Sequence, residues 1–340
     1  MQLTESALPR PARLLRSLLP LVLTLAGPAL IVLANAIVTD WPMGGRVALG
    51  LGGALAFGFG ITRLIRLWRG PGSDPFLWLA GGWLTLLFLA TLFADLLPLA
   101  ESHDPGVTIL DPSLTPPNLL SANPLGTDTA ALDVLGQIIY GSRVSLLIAL
   151  CGAGIGCLTG GTLGILAGYF RGRVEAVTTF AAEVLLSFPP LILLMAMVTI
   201  FRPSIVNLTL VLGVLVTPAF LRLARAQTIK IASRDFVVAA HTLGAKVPRI
   251  LLGEILPNVL PALIAYGFIV VGLLIVAEAS LSYLGIGIPR PAPTWGNLIS
   301  QGEPFLQDSP HLVLAPTLFL FLTVISANYL GQYLQKRCEL

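Results

Sequence analysis

Acidic side chains set inside long apolar runs are the residues of this chain with chemistry to offer. A carboxylate in hydrocarbon is costly, so one found there is a candidate for function. Glu278 lies near one end of an apolar run at 259–284, and Glu183 lies in another at 178–201. For Glu278 two readings stand side by side. It lines or gates a pore together with Ser280 and Ser282, or it makes a local hydrogen bond to one of those serines. Glu183 reads as a pore residue or as a carboxylate at the membrane surface, and Asp95, at the end of a third run, as solvated. His103, His241 and His311 are scattered over loops, and no His-Glu-x-x-His helix or Gly-x-Ser-x-Gly elbow occurs in the sequence. Cys151, Cys157 and Cys338 form no framework, and Cys151 and Cys157, within an apolar run, read as small core residues. No catalytic, metal or cofactor-binding set emerges.

The elements that must hold these carboxylates are membrane spans. The 340 residues are 55% hydrophobic and 11% charged, against about 25% charge in soluble domains. Spans of roughly 20 apolar residues are predicted at 17–38, 46–68, 76–99, 144–168, 178–201, 205–223, 259–284 and 312–334. The expected class is an all-α membrane protein with about eight transmembrane helices. Basic residues orient them. With the N-terminus inside, sixteen of the twenty Lys and Arg residues fall on the inner side, and Arg46, Arg143, Arg202 and Arg290 fall outside. That predicts a multi-pass protein with both termini in the cytoplasm. A rival reading of 1–36 is a signal peptide, with Arg10, Arg13 and Arg16 before an apolar run and Ala34-Asn35-Ala36 as its cleavage site.

Several stretches carry packing or turn signals. Gly152, Gly156, Gly160, Gly164 and Gly168 recur every four residues, giving one helix face without side chains for close approach by another helix, of this chain or of a second subunit. A dinucleotide loop is the competing reading, but no strand precedes and Gly-x-Gly-x-x-Gly is absent there. Residues 100–142 are rich in Pro, Asp, Ser and Asn and read as an external loop, with Thr127 or Asp128 as a helix cap. Pro218 is expected to kink its span. Pro289, Pro291 and Pro293 stiffen another external loop, and Trp295 reads as an interfacial anchor. Basic residues that track one membrane face without interleaved aromatics argue against nucleic acid.

One basic, water-compatible insert, 235–258, interrupts the apolar second half. Phe236, Val237, Ala240 and Leu243 are predicted to share one helix face. Gly244 is expected to end that helix by a left-handed exit, Pro248 to open a second short helix, and Pro257 to stop or kink the chain beyond it. The shape is helix, turn, helix at a membrane surface, suited to docking.

This insert resembles the Glu-Ala-Ala loop of the permease subunits of ABC importers. Ala239, Ala240 and Gly244 fit its pattern, as do Leu256, Pro257 and Asn258, while Val238 replaces the signature Glu and Glu254 replaces a common basic residue. The run from Asn123, NPLGTDTAALDVL, and the run from Ala277, AEASLSYLGIGIPRPAPTWGNLI, resemble the dipeptide/oligopeptide/nickel branch. Glu183 before Phe188-Pro189 also fits that branch. The resemblance implies a type I permease core of six helices within 76–340, a permease domain at 144–340 with its coupling loop at 222–258, and an extra hairpin at 1–75. It implies ATPase coupling through Phe236, Val237, Ala239, Ala240, Leu243, Gly244, Ala245, Pro257 and Asn258. It also implies two cytoplasmic ATPase subunits that bind ATP and magnesium, an external solute-binding protein, a second and homologous permease, and the bacterial inner membrane with its lipid. Peptides are the favoured cargo. A secondary transporter or channel working without ATP is the alternative; it would show internal repeats across two halves, and no convincing repeat is found.

Overall fold

The computed structural model describes residues 60–62 and 74–338, apart from 98, 103, 109, 119, 120, 202, 290 and 291. The spans expected at 17–38 and 46–68, the hairpin assigned to 1–75, the Ala34-Asn35-Ala36 site and His103 therefore lie outside the described residues, wholly or nearly so.

Ten helices occur in order among the described residues. They are α1 (Pro75–Leu92), α2 (Val134–Phe170), α3 (Gly172–Leu186), α4 (Pro190–Ile200), α5 (Ile205–Ala232), α6 (Asp235–Thr242), α7 (Val247–Arg249), α8 (Leu256–Tyr283), α9 (Trp295–Gly302) and α10 (His311–Cys338). Five stretches are long and apolar enough to cross a membrane, or six if the bent pair α3–α4 is counted as one crossing. The run expected at 178–201 is thus two helices meeting at 87°. Pro189 and Pro190 explain the break, because Pro lacks the N–H a helix needs and pushes its preceding residue out of the helical region.

Two spans are longer than their apolar runs suggest. α2 begins ten residues before 144, because Asp133 is its N-cap and its Oδ2 accepts from the Gly136 N–H at 2.9 Å. Thr127 and Asp128 are not the cap. Asp128 instead folds a turn of its own, with Oδ1 accepting from the N–H groups of Ala130 and Leu132, and Oδ2 accepting from Gln137 Nε2 at 2.7 Å. α5 passes Pro218 and runs on to Ala232 without interruption.

The glycine row of α2 meets α5 of the same chain. Gly152 abuts Thr209 and Gly213, and Gly168 abuts Arg225 and Thr228, so the two helices run parallel. A Cβ on Gly164 would fall 2.6 Å from the Ala224 Cβ, and one on Gly168 would fall 2.8 Å from the Arg225 carbonyl oxygen. Gly213 on α5 returns the fit against Ile155. In lipid, helix association rests on such close packing, since the surrounding chains are as apolar as the side chains. α8 closes this core with Leu263, Leu274 and Ile275, and Tyr266 stands edge-on to Phe220 at 5.2 Å.

α1 lies on the far side, against α10. Trp83 Nε1 donates to Thr323 Oγ1 at 3.0 Å, and the Tyr329 hydroxyl donates to Asp74 at 2.5 Å. At the opposite end of α1, Asp95 is not simply solvated. It accepts from Arg143 Nη2 at 2.8 Å and from the Tyr140 hydroxyl at 3.0 Å, and Arg143 Nε also donates to the Thr91 carbonyl.

Candidate functional site

Two places gather the chemistry that the sequence points to: the elbow around α6, at one end of the bundle, and the buried polar cluster around Glu278, at the other.

α6 starts after Arg234 and ends in a paired-bond exit. The Ala245 N–H donates to the Ala240 carbonyl at 3.1 Å and the Gly244 N–H donates to that of His241 at 3.0 Å, with Gly244 at φ 80°. This is the Schellman arrangement, and the residue after the cap must be left-handed to make it. The expected common apolar face is divided. Val237 is buried, and Ala240 and Ala245 pack partly against this chain's own core, whereas Phe236 and Leu243 point outward, 44% and 88% exposed. Ala239 and Val238 are exposed as well. The division comes from helical geometry: positions one apart are 100° apart, so Phe236 and Val237 cannot both face the core. Val238, in place of the signature Glu, adds to the outward apolar surface.

Pro248 lies in the first turn of α7, and α7 passes through a π turn, Ile250–Ile255, straight into α8. The second short helix is therefore the start of a span. Pro257 does not stop it. A wide turn just before a proline makes room for the ring and for the missing N–H. Asn258 supplies a donor there, with Nδ2 donating to the Glu254 carbonyl at 2.6 Å. Both Pro257 and Asn258 are exposed. The Leu-Pro-Asn run thus shapes the root of α8.

Glu278 is fully buried at the crossing of α2 and α8. Its Oε2 accepts from Ser145 Oγ and its Oε1 from Ser282 Oγ, both at 2.7 Å, and the Thr294 side chain also hydrogen-bonds it. The local hydrogen bond expected from the sequence is present, with Ser282 as the partner. Ser280 turns back to the Val276 carbonyl. Ser145 and Thr294 were not visible as partners in the sequence, because they come from distant segments. Glu183 is exposed on α3, just before the bend. Glu278 and Glu183 are not brought together.

Beside this cluster Trp295 is buried, not interfacial. It is wholly inaccessible, and its Nε1 donates to the Ile138 carbonyl of α2 at 3.0 Å. An indole is buried stably when its N–H finds an acceptor. Thr294 caps α9 at Asn297, so one short loop anchors α9 to α2 and α8 together.

Asp133 completes this end. Burial pushes its carboxyl above the ordinary carboxylate range, opposed by the Gly136 N–H. A carboxyl raised in the folded state favours folding while protonated, and that contribution is lost as pH rises through the folded-state pKa. Asn at this position keeps the cap acceptor and cannot titrate. Asp133→Asn is therefore expected to melt higher than the wild type at pH 7, with the gap closing toward pH ~4, where the unfolded carboxyl also protonates. Melting curves in detergent at the two pH values check this, and a gap independent of pH contradicts it.

Long apolar spans around a parallel-helix core define a class: multi-pass helical membrane proteins. Residues 160–339 match the family described as binding-protein-dependent transport system inner membrane component, and the chain belongs to that family. It is 35% identical over 261 residues to a probable peptide ABC transporter permease of Sinorhizobium fredii, covering 77% of this chain and 87% of the relative. To the di/tripeptide permease DppC of Pseudomonas aeruginosa it is 31% identical, covering 75% and 85%. To the glutathione permease GsiD of Pectobacterium atrosepticum it is 33% identical, covering 63% and 71%. The fold is similar to a chain of the inward-facing MetNI methionine ABC transporter, with a TM-score of 0.51 at 17% identity over 60% of this chain and 97% of that one. The chain is thus the membrane translocation subunit of an ATP-driven importer, a multi-pass inner membrane component, and the family works with ATPase subunits and a binding protein. A permease of this kind is not itself an enzyme.

Proposed function

We propose that this permease carries peptides, delivered by an external binding protein and driven by two cytoplasmic ATPase subunits that grip α6. The observation that carries the ATP-driven part of this reading is the elbow itself: a short helix with a fixed left-handed exit at Gly244, presenting Phe236, Val238 and Leu243 outward. Those side chains offer an apolar knob to a cleft, and Val237 and Ala240 root the helix in its own subunit. A push on such a helix passes to α5 before it and to α7–α8 after it. ATP and magnesium belong to the ATPase partners, since no Gly-x-x-x-x-Gly-Lys-Ser/Thr loop occurs in this sequence.

Charge gives the orientation. Ten of the eleven described Lys and Arg residues lie toward the end that carries α6, with Arg143 at the other. By the positive-inside rule that end is cytoplasmic, which puts the C-terminus inside. The opposite end, with Glu101, Asp104, Asp111 and Glu303, faces the binding protein. A homologous but different permease completes the translocation path against the exposed faces of α3 and α4. Peptide cargo is supported by the relatives' names alone, so transport decides it. The chain is co-purified with its neighbouring permease and ATPase subunits, placed in liposomes, and given binding protein and radiolabelled trialanine. Uptake that needs both ATP and the binding protein is expected. Uptake without ATP, or none under any of these conditions, overturns the proposal.

A further inference from the structure

The bent pair α3–α4 meets the remainder of the molecule through a few apolar side chains, with Ala182 and Leu194 buried and Met195 and Met197 packed partly on the core, and through one polar tie near its entry. Its entry has positive φ at two consecutive residues, Arg171 at 52° and Gly172 at 54°, and nothing lies within 4 Å of where a Gly172 Cβ would be. Along α3 the one buried residue is Ala182, while Val177 and Phe180 are 68% and 69% exposed. α2 and α5, in contrast, touch backbone to backbone along the glycine row. They form a body, and α3–α4 is an arm hung from it.

The tie is an ion pair. Glu175, in the first turn of α3, accepts from Arg225 of α5 through Nε at 2.8 Å and through Nη2. Both side chains are mostly withdrawn from solvent, with relative exposures of 33% for Arg225 and 25% for Glu175. Both N–H groups reach the same oxygen, Oε1, and such charge-assisted bonds are stronger than neutral ones. Arg225 stands about two turns before the end of α5, after which the chain enters α6.

We propose that Glu175–Arg225 is a positioning latch. It fixes the α3–α4 arm against the α2–α5 body, with Arg171–Gly172 as the pivot, and hands movement of α6 to the arm. The transmission role rests on the reading that an ATPase moves α6; the latch itself does not. Removing either charge leaves the other partly buried without its partner, so the arm loses its fixed angle while the glycine-packed body stays whole.

The test uses the assembled transporter with Cys151, Cys157 and Cys338 changed to serine and spin labels at Val177→Cys and Ala226→Cys. The unaltered pair is expected to give one narrow distance. Glu175→Gln and Arg225→Met are expected to broaden it about twofold and to lower trialanine moved per ATP hydrolysed about tenfold, a coupling loss of ordinary size. Glu175→Asp keeps the charge and is expected to fall between. The exchanged pair, Glu175→Arg with Arg225→Glu, is expected to recover most of both. Recovery on exchange shows that the pairing itself matters, while a purely structural role would lower yield and leave transport per ATP unchanged. Unchanged widths in the single variants, or transport per ATP equal to the wild type, overturn the latch. If the wild type moves no trialanine but Glu175→Gln still broadens the distances, the peptide reading fails and the latch stands.

Discussion

Gly164→Leu is expected to lower melting temperature and yield sharply, whereas Gly154→Leu, ten residues earlier in the same helix, is expected to leave both unchanged. At Gly164 the first added carbon alone would lie 2.6 Å from the Ala224 Cβ and 3.0 Å from the Arg225 nitrogen. Carbon pairs settle at about 3.5–4.0 Å, so α2 and α5 must part by an ångström or more. Parting them loosens Gly156, Gly160 and Gly168 together, since all four share the contact. Overpacking at one site in a tight core costs roughly 1–3 kcal/mol. A cost at the top of that range lowers the ratio of folded to unfolded protein by about two powers of ten, at 1.4 kcal/mol for each. At Gly154 nothing lies within 4 Å of the new carbon, so the side chain has open space to enter. Monodisperse yield and melting temperature in detergent compare the two variants. Equal behaviour would show that the row does not hold the helices.

The second large effect separates docking from folding within α6. Leu243→Asp puts a charge on the outward knob, where the side chain is 88% exposed and touches little of its own chain. Membrane insertion and yield are expected to be normal. Uptake is expected to drop more than about tenfold, as when a charge replaces an apolar anchor at the centre of an interface. Val237→Asp, six residues away, is expected to act in reverse order. Val237 is 4% exposed within the subunit, so an unpaired carboxylate there costs several kcal/mol, on the order of ~3–5 for a buried charge without a partner. The protein is then lost before transport can be measured. Co-purification of the ATPase subunits reads out the first variant, and yield reads out the second. Should Leu243→Asp transport normally, the outward knob is not the point of grip.

Much of this was readable from the chain, for reasons that differ by element. Length and apolarity mark spans because lipid demands them, so α1, α5, α8 and α10 fall near their expected places. Regular spacing marked the glycine row, but spacing cannot name the opposing helix; that needed α5 placed beside α2. Gly244 was readable because only a residue without a Cβ takes the left-handed exit freely. The division of α6 into inward and outward residues was not readable, since four apolar residues close in sequence look like one face until a core is placed against them. Trp295 misled for a similar reason: aromatic residues near span ends anchor at interfaces on average, yet here Ile138 offers a buried acceptor. The partners of Glu278 and the Glu175–Arg225 pair join segments far apart in the chain, and such meetings are written in the fold alone.

The parallel course of α2 and α5 bears on how the protein is made. α3 and α4 lie between them in the chain, so α2 emerges from the ribosome with its bare glycine flank unmatched and must wait in the bilayer until α5 has been synthesised. During that interval the flank fits any smooth helix it encounters, including those of unrelated nascent proteins. A contact of α2 with the insertion machinery, kept until α5 arrives, would shield that flank.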